Sequence, residues 1–278
     1  MIPMDSYTAW SPRLDDAARQ FLSPEELGWY EAIAPEERRA QLRDLLERPI
    51  VKFTPVNEAF FRAKWADALT ALHPGAPFSL MEVGAGDADM IPQSLARSHM
   101  GCRYVTANMN KALTRSLLDK TAGLPLSVEV VEDDAAHIEA HFGPACFDAV
   151  AFQHSVNDVC QAILCEREGI DTVYSDWMAV LPDMIRILQG EVAAGTLERS
   201  LKGPFLSLMR SMLHILKPGG FVAINHYMFQ LDLDWGYPPD LFAGFVPMAR
   251  EWFRELDGVK EIRLDGFEGN WWLFLAKE

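Results

Sequence analysis

The run Phe78-Ser79-Leu80-Met81-Glu82-Val83-Gly84-Ala85-Gly86-Asp87-Ala88 passes from an apolar segment into an acid and then into a glycine-rich turn. This order predicts a buried strand, a sharp turn and, after Asp89, a helix whose N-terminus faces the turn. Gly84 and Gly86 remove side chains where the main chain turns and a ligand approaches closely. A dinucleotide fingerprint has a third glycine where this chain has Asp89, so NAD and FAD are disfavoured as ligands.

Four more segments downstream of the turn have the composition of strands and strand ends. They are Arg103–Asn108, Val128–Ala135, Phe147–His154 and Leu213–Ile224, the last of which contains a Lys-Pro-Gly-Gly turn. In this order and spacing, the segments resemble the Rossmann-like (class I) S-adenosylmethionine (SAM) dependent methyltransferases over about residues 76–226, with a weaker match to the end. The resemblance implies an α/β fold, with a mostly parallel sheet of seven strands and helices on both faces. It also implies SAM as the cofactor.

The same resemblance implies which residues contact the cofactor. The family's loop reads acid-x-Gly-x-Gly-x-Gly, and this chain has Ala88 in place of the last glycine. In the family, the second strand usually ends in an acid that binds both ribose hydroxyls. This chain has Asn108 there, which keeps hydrogen-bonding groups but loses the charge. The implied contacts in the sheet domain are Glu82, Gly84, Ala85, Gly86, Asn108, Met109, Asp134, Ala135 and Gln153.

Residues 1–75 precede the sheet and are predicted to form a helical cap, with the SAM-binding domain at residues 76–278. The prolines at the starts of four probable helices follow Ser11, Ser23, Ala34 and Thr54. Packing between helices is the simpler interpretation of the aromatic residues in this segment. The sharper one is a lid over the methionine end of SAM, with Arg62 or Lys52 pairing its carboxylate, since closure keeps water from a sulfonium.

A second departure from a minimal fold is the long helical insert at residues 157–206, after the fourth strand. Val156–Arg167 predicts an apolar helix, and Trp177–Glu198 predicts one or two helices interrupted near Pro182 and Gly190. Ligands of open α/β sheets bind beyond the carboxyl ends of the strands, so the insert is expected to overhang the reactive centre and set substrate specificity. The alternative is packing on the sheet edge or on a partner subunit, which leaves a homodimer open.

Polar residues near the ends of the fourth and fifth strands supply the catalytic candidates. His154 and His226 stand where the family's strand ends face the sulfonium, and a histidine with a pKa near neutrality is a suitable base for an oxygen or nitrogen nucleophile. Asn157 and Tyr174 are candidates for orienting an amine by hydrogen bonds. A structural role is the simpler interpretation of each histidine.

The charge of the chain restricts its partners. A formal net charge of -15 and a pI near 4.9 disfavour nucleic acids and anionic membranes, which leaves a small-molecule substrate. The first residues lack the basic and apolar runs of a signal peptide, and a cytoplasmic location is predicted. The four cysteines form no Cys-x-x-Cys pair and are predicted to be buried thiols. No close His/Cys cluster indicates zinc, and no metal site is predicted.

Three functions fit these patterns. The first is SAM-dependent methyl transfer to a nitrogen, oxygen or carbon atom of a small molecule in a capped pocket. The second is a cyclase on the same fold, in which the α-amine of SAM attacks its own γ-carbon and gives azetidine-2-carboxylate and methylthioadenosine. The third is a SAM-binding scaffold without catalysis, which Ala88 and Asn108 favour mildly.

Overall fold

A computed structural model describes residues 16–38, 40, 48–73, 75, 77–98, 101–108, 111–172, 175 and 177–278. The predicted helix start at Ser11-Pro12 lies outside these residues. None of the described helices is long and apolar enough to cross a membrane.

A sheet of seven strands forms the centre of the molecule. The strands are β1 (Ser79–Val83), β2 (Arg103–Ala107), β3 (Ser127–Val131), β4 (Phe147–Gln153), β5 (Leu216–Asn225), β6 (Val259–Ile262) and β7 (Trp272–Lys277). Their order is β3-β2-β1-β4-β5-β7-β6; β7 runs antiparallel to both of its neighbours, and the other pairs are parallel. This confirms the predicted sheet. Because β1 and β4 are central and covered on both faces, they read as nearly continuous apolar runs.

Helices cover both faces of this sheet. They are α1 (Pro24–Ala32), α2 (Pro55–Leu72), α3 (Met90–Ser98), α4 (Lys111–Thr121), a 3₁₀ helix (Ala135–Ala140), α5 (Val156–Arg167), α6 (Trp177–Ala194), α7 (Leu197–Ile215), α8 (Gln230–Asp234) and α9 (Pro239–Phe253). Successive residues of a strand point to opposite faces, so Leu80 joins the apolar cluster of α2 and α3 while Met81 joins that of α5, α6, α7 and α9.

The starts of α1 and α2 follow the sequence signals closely. Ser23 and Thr54 each accept a hydrogen bond from the main-chain N–H three residues on, and Pro24 and Pro55 occupy the first helical positions. Helix α2 then packs in the same apolar cluster as the sheet, where the Trp65 ring meets Trp272 edge-on at 5.0 Å between centroids. The last helix before the sheet is therefore part of the layer that covers it.

The segment after β4 differs from the sequence expectation in one respect. Helix α5 has the predicted bounds, but α6 runs without interruption through Pro182 and Gly190 and ends only before Gly195, which has φ of +65°. The expected breaks are therefore wrong. Proline removes one helical hydrogen bond, and burial of Leu181 and Leu188 in the core outweighs that cost.

The cysteines are free thiols, and the prediction of burial holds for three of them. Cys102, Cys160 and Cys165 are buried, whereas Cys146, in the loop that enters β4, is half-buried.

Candidate functional site

The turn after β1 has the bare main chain that its glycines predict. Gly84 and Gly86 have φ of +69° and +59°, a region that side chains disfavour. A Cβ atom at Gly84 would lie 3.3 Å from the Ser155 Cβ, and one at Gly86 would lie 3.3 Å from the Leu113 Cδ1. Any side chain added at Gly84 would press on Ser155, which immediately precedes α5.

The Asn108 side chain makes hydrogen bonds to the main chain of the glycine turn. Its Oδ1 accepts a hydrogen bond from the Gly86 N–H at 2.9 Å, and its Nδ2 donates to the Gly86 carbonyl at 2.7 Å. Because one partner is a main-chain N–H and the other a main-chain carbonyl, they determine which amide atom is the oxygen and which is the nitrogen. The side chain is only 2% exposed. Asn108 therefore clamps the glycine turn from behind, and an aspartate could make just one of the two bonds.

Glu82 and Tyr104 form a buried pair beneath the turn. The Tyr104 hydroxyl donates to the Glu82 Oε2 at 2.6 Å, while the Glu82 Oε1 is buried without a partner. Burial raises the pKa of Glu82 to about 8, although the Tyr104 bond acts in the opposite direction. Glu82 is accordingly an acid that keeps a proton near neutral pH.

Gln153, at the end of β4, has partners on three other elements. It accepts from the Trp65 indole N–H and donates to the Met90 Sδ and the Tyr227 hydroxyl, each at 3.2 Å. Arg62 is likewise engaged, donating to Asp89 at 2.8 Å and to Glu58 at 3.0 Å. Gln153 thus joins the end of β4 to α2 and α3, and Arg62 joins α2 to Asp89 just after the turn.

A cavity of about 270 Å³ opens beside the turn, close to the lower limit of roughly 300 Å³ for small-ligand pockets. Its walls come from the turn, the 3₁₀ helix, α5 between Asp158 and Glu166, and the middle of α7. Three predicted cofactor residues line it, namely Gly84, Asp134 and Ala135. The Asp134 carboxylate also accepts from the Ala136 N–H at 2.8 Å and so caps the 3₁₀ helix.

Sequence reasoning missed the far wall of this cavity. Ser155 and Asp158 line it from the start of α5, and Ser207 and Ser211 line it from α7. The two serines of α7 stand four residues apart, and side chains with this spacing share one face of a helix. That spacing was the available signal.

His154 and His226 come together at the ends of β4 and β5, but not as bases with a pKa near neutrality. The rings are stacked 4.8 Å apart, and the His154 ring also stacks on Tyr227 at 4.2 Å. Burial lowers the pKa of His154 to about 3 and that of His226 well below its ordinary value. Neither ring nitrogen of His226 makes a hydrogen bond of normal geometry, although the Phe242 main chain lies near enough to favour protonation slightly. Both shifts favour the neutral imidazole and disfavour the role of a base near neutral pH.

The main chain at His154 carries strain. Its φ is +54°, a value uncommon outside glycine, and the His154 N–H donates to the Asn225 carbonyl at 2.8 Å. The strained residue follows Gln153 directly and precedes Ser155, which lines the cavity.

Of the two remaining catalytic candidates, the structure describes Asn157 but not Tyr174. Asn157 is buried and donates from its Nδ2 to the Asp158 Oδ1 at 2.9 Å, while its own Oδ1 has no partner. Tyr174 lies outside the described residues, as does Met109 among the implied cofactor contacts.

Two carboxylates that were not candidates occupy the same region. Burial, and then the negative charge of Asp232, raise the pKa of Asp158 to about 7. Burial raises the pKa of Asp232 to about 6, against a hydrogen bond from the Phe229 main chain that lowers it. Both acids also raise the pKa of Tyr227, although burial contributes more there. These interactions show that the acids lie near the end of β5.

The order of the strands decides which fold this is. A sheet ordered β3-β2-β1-β4-β5-β7-β6, with an antiparallel β7 and a glycine turn after β1, is the arrangement that the resemblance implies. The fold is Rossmann-like, with the strand order of the family that the sequence resembles.

Comparisons with known proteins find low similarity only. No protein-family model matches the chain, and no curated protein matches it. Solved structures similar to it include a SAM-dependent methyltransferase from Aquifex aeolicus, with 12% identity over 81% of this chain and 98% of that one and a TM-score of 0.44. A putative rRNA methylase from Clostridium thermocellum has 10% identity over 77% and 93%, with a TM-score of 0.45. A putative sarcosine dimethylglycine methyltransferase from Galdieria sulphuraria has 16% identity over 82% and 76%, with a TM-score of 0.42. Likeness at this level leaves the substrate open.

Proposed function

We propose that this protein binds SAM beside the glycine turn and transfers its methyl group to a small molecule. The observation that carries the proposal is the junction of the bare turn at Gly84 with a cavity of about 270 Å³ at the carboxyl ends of the strands. Ligands of open α/β sheets bind at this place. In the proposal, residues 76–278 bind the cofactor, residues 1–75 cover the pocket, and the insert at residues 157–206 forms the substrate side.

The residues present are suited to an adenosyl ligand. The cavity is mostly apolar, as a purine requires, and Asp134, Ala135 and Ala136 contribute to one end of it. Glu82 and Ser155 each hold a buried oxygen without a partner close to the turn. When bound, SAM supplies a methyl group on a sulfonium, which a nucleophile attacks in line.

Orientation and exclusion of water are the main tasks of the protein in this reaction. The clamp by Asn108 fixes the turn, and the contacts of Gln153 hold α2 against the end of β4. A low-dielectric surface of stacked aromatic and imidazole rings adjoins these strand ends, at His154, Tyr227 and Phe229. Neutral His154 and His226 can orient a polar substrate but are weak bases at neutral pH.

Binding and product analysis together test the proposal. Calorimetry should show binding of SAM and S-adenosylhomocysteine, and mass spectrometry should show S-adenosylhomocysteine when SAM is supplied with cell extract. Methylthioadenosine formed from SAM alone would replace methyl transfer with cyclisation. No binding of either nucleoside at millimolar concentration would remove both reactions and leave a scaffold.

A further inference from the structure

The acid pair Asp158 and Asp232 has no counter-charge of its own in the described part of the chain. Burial is the main cause of the raised pKa of Asp158, and the charged group that adds to it in the described part of the chain is Asp232, which is negative. Asp158 receives one neutral hydrogen bond, from the Asn157 amide at 2.9 Å, and the Asp232 Oδ2 is buried without a partner. Two partly buried carboxylates in this state are unfavourable unless one keeps a proton or a cation joins them.

The position of Asp158 makes a ligand the natural source of that cation. Asp158 lines the cavity beside the glycine turn, and so does Ser155, which is only 1% exposed. The Ser155 hydroxyl is buried and has no hydrogen-bond partner. A buried hydroxyl without a partner is uncommon in a folded protein, because it costs the desolvation of the group. Its presence in the same wall as Asp158 indicates a polar ligand there.

The rings close to the acids suit the same kind of ligand. Both acids act on the Tyr227 hydroxyl, and the Tyr227 ring meets the Phe229 ring edge-on at 5.2 Å. Phe53 stacks on Tyr227 with its centroid at 6.0 Å. Aromatic faces attract organic cations electrostatically, and the attraction grows when water is excluded. The acids therefore lie near aromatic rings at the ends of β4 and β5, and of these groups Asp158 is the one that lines the cavity.

We propose that Asp158 binds the positive centre of an organic cation in this cavity. Asp232 acts through Asp158, because its negative charge strengthens the binding of the cation. The cation belongs either to a protonated amine of the methyl acceptor or to the sulfonium of SAM. The identity of the ligand rests on the proposed function, whereas the need for a positive charge rests on the acid pair.

Isosteric variants test this assignment. Asp158→Asn keeps the oxygen that accepts from Asn157, and Asp232→Asn removes the second charge alone. Asp234→Asn is the matched control, because Asp234 is exposed on the same short helix and accepts only from Gln230, at 2.9 Å. Thermal melting shows that each variant is folded before binding is measured.

Calorimetry with two pairs of probes then separates the sources. SAM is compared with S-adenosylhomocysteine, which lacks the sulfonium charge. Benzylammonium is compared with the neutral benzyl alcohol, both with and without saturating S-adenosylhomocysteine. We expect Asp158→Asn to weaken one cation at least tenfold and Asp232→Asn to weaken it by a smaller factor. The Kd of the matching neutral probe should change less than twofold in these variants. In the Asp234→Asn control, the Kd of every probe should change less than twofold.

Each outcome has one meaning. Loss confined to benzylammonium identifies the acceptor amine, and loss confined to SAM identifies the sulfonium. The proposal is overturned if both cations bind to Asp158→Asn as tightly as they bind to the parent protein. It is also overturned if the substitution weakens binding of the neutral probes as much as binding of the cations. Failure of the parent protein to bind SAM overturns the proposed function instead, while benzylammonium without added nucleoside still tests Asp158.

Discussion

Replacing Asn108 by aspartate should weaken SAM binding, although aspartate is the residue that the resemblance implies at this position. In the structure the amide makes two bonds to Gly86, at 2.9 and 2.7 Å, and a carboxylate cannot make the one that donates. The Gly86 carbonyl would then lack its donor and would face a carboxylate in a site that is 2% exposed. Loss of the bond and burial of the unpaired groups together cost about 2 to 4 kcal/mol.

The loss of the bond to the Gly86 carbonyl changes the conformation of the turn and also destabilises the fold. The affinity for SAM and the free energy of unfolding should therefore both decrease. We expect the Kd for SAM, measured by calorimetry, to rise at least tenfold in Asn108→Asp and the melting temperature to fall by several degrees. Asn270→Asp is the matched control, since Asn270 is exposed in a turn before β7. Tighter SAM binding by Asn108→Asp with unchanged melting would show that the side chain serves the ribose, and the clamp would be refuted.

Three further predictions concern the same region. Gly84→Ala should lower SAM affinity and destabilise the fold by about 1 kcal/mol or more, because φ is +69° and the added Cβ meets Ser155 at 3.3 Å; calorimetry that finds parent affinity would show that the turn is misassigned. His226→Phe should leave the pH profile of turnover between 6 and 8 unchanged, because the pKa of His226 lies well below its ordinary value; loss of the acidic limb, in which turnover rises with pH, would show that the imidazole is the base. Asp158→Asn should stabilise the protein at pH 8 but hardly at pH 4. The pKa of Asp158 is about 7 in the folded protein, above its unfolded value of 3.8. The parent protein therefore loses about 2 to 4 kcal/mol of stability as pH rises from the unfolded to the folded pKa. Equal denaturant midpoints of variant and parent at pH 8 would contradict this prediction.

The sheet could be predicted from the sequence because its signals are local and repeated. Apolar runs that end in an acid or in polar residues mark β1 and β4, and the Ser23 and Thr54 caps mark the starts of α1 and α2. The course of α6 through Pro182 depends on burial of its apolar face against distant elements. A single segment carries no information on that packing.

The site was less predictable for the same reason. The position of Gly84, Asp134 and Ala135 at one cavity follows from the strand ends, which the sequence locates. Asn108 takes its role from its distance to a carbonyl 22 positions earlier in the chain, and a residue type alone does not show this. The low pKa of His154 likewise results from burial under rings contributed by other elements, among them Tyr227 and Phe229.

The amide of Gln153 ties together Trp65 of α2, Met90 of α3 and Tyr227 beyond β5. Moving α2 away from the sheet would remove the Trp65 donor and leave the buried Gln153 oxygen without its hydrogen bond, so this helix is expected to stay fixed on the sheet. Small molecules would then enter from the opposite side, between α5 and α7, where the hydroxyl groups of Ser207 and Ser211 make part of the cavity wall polar.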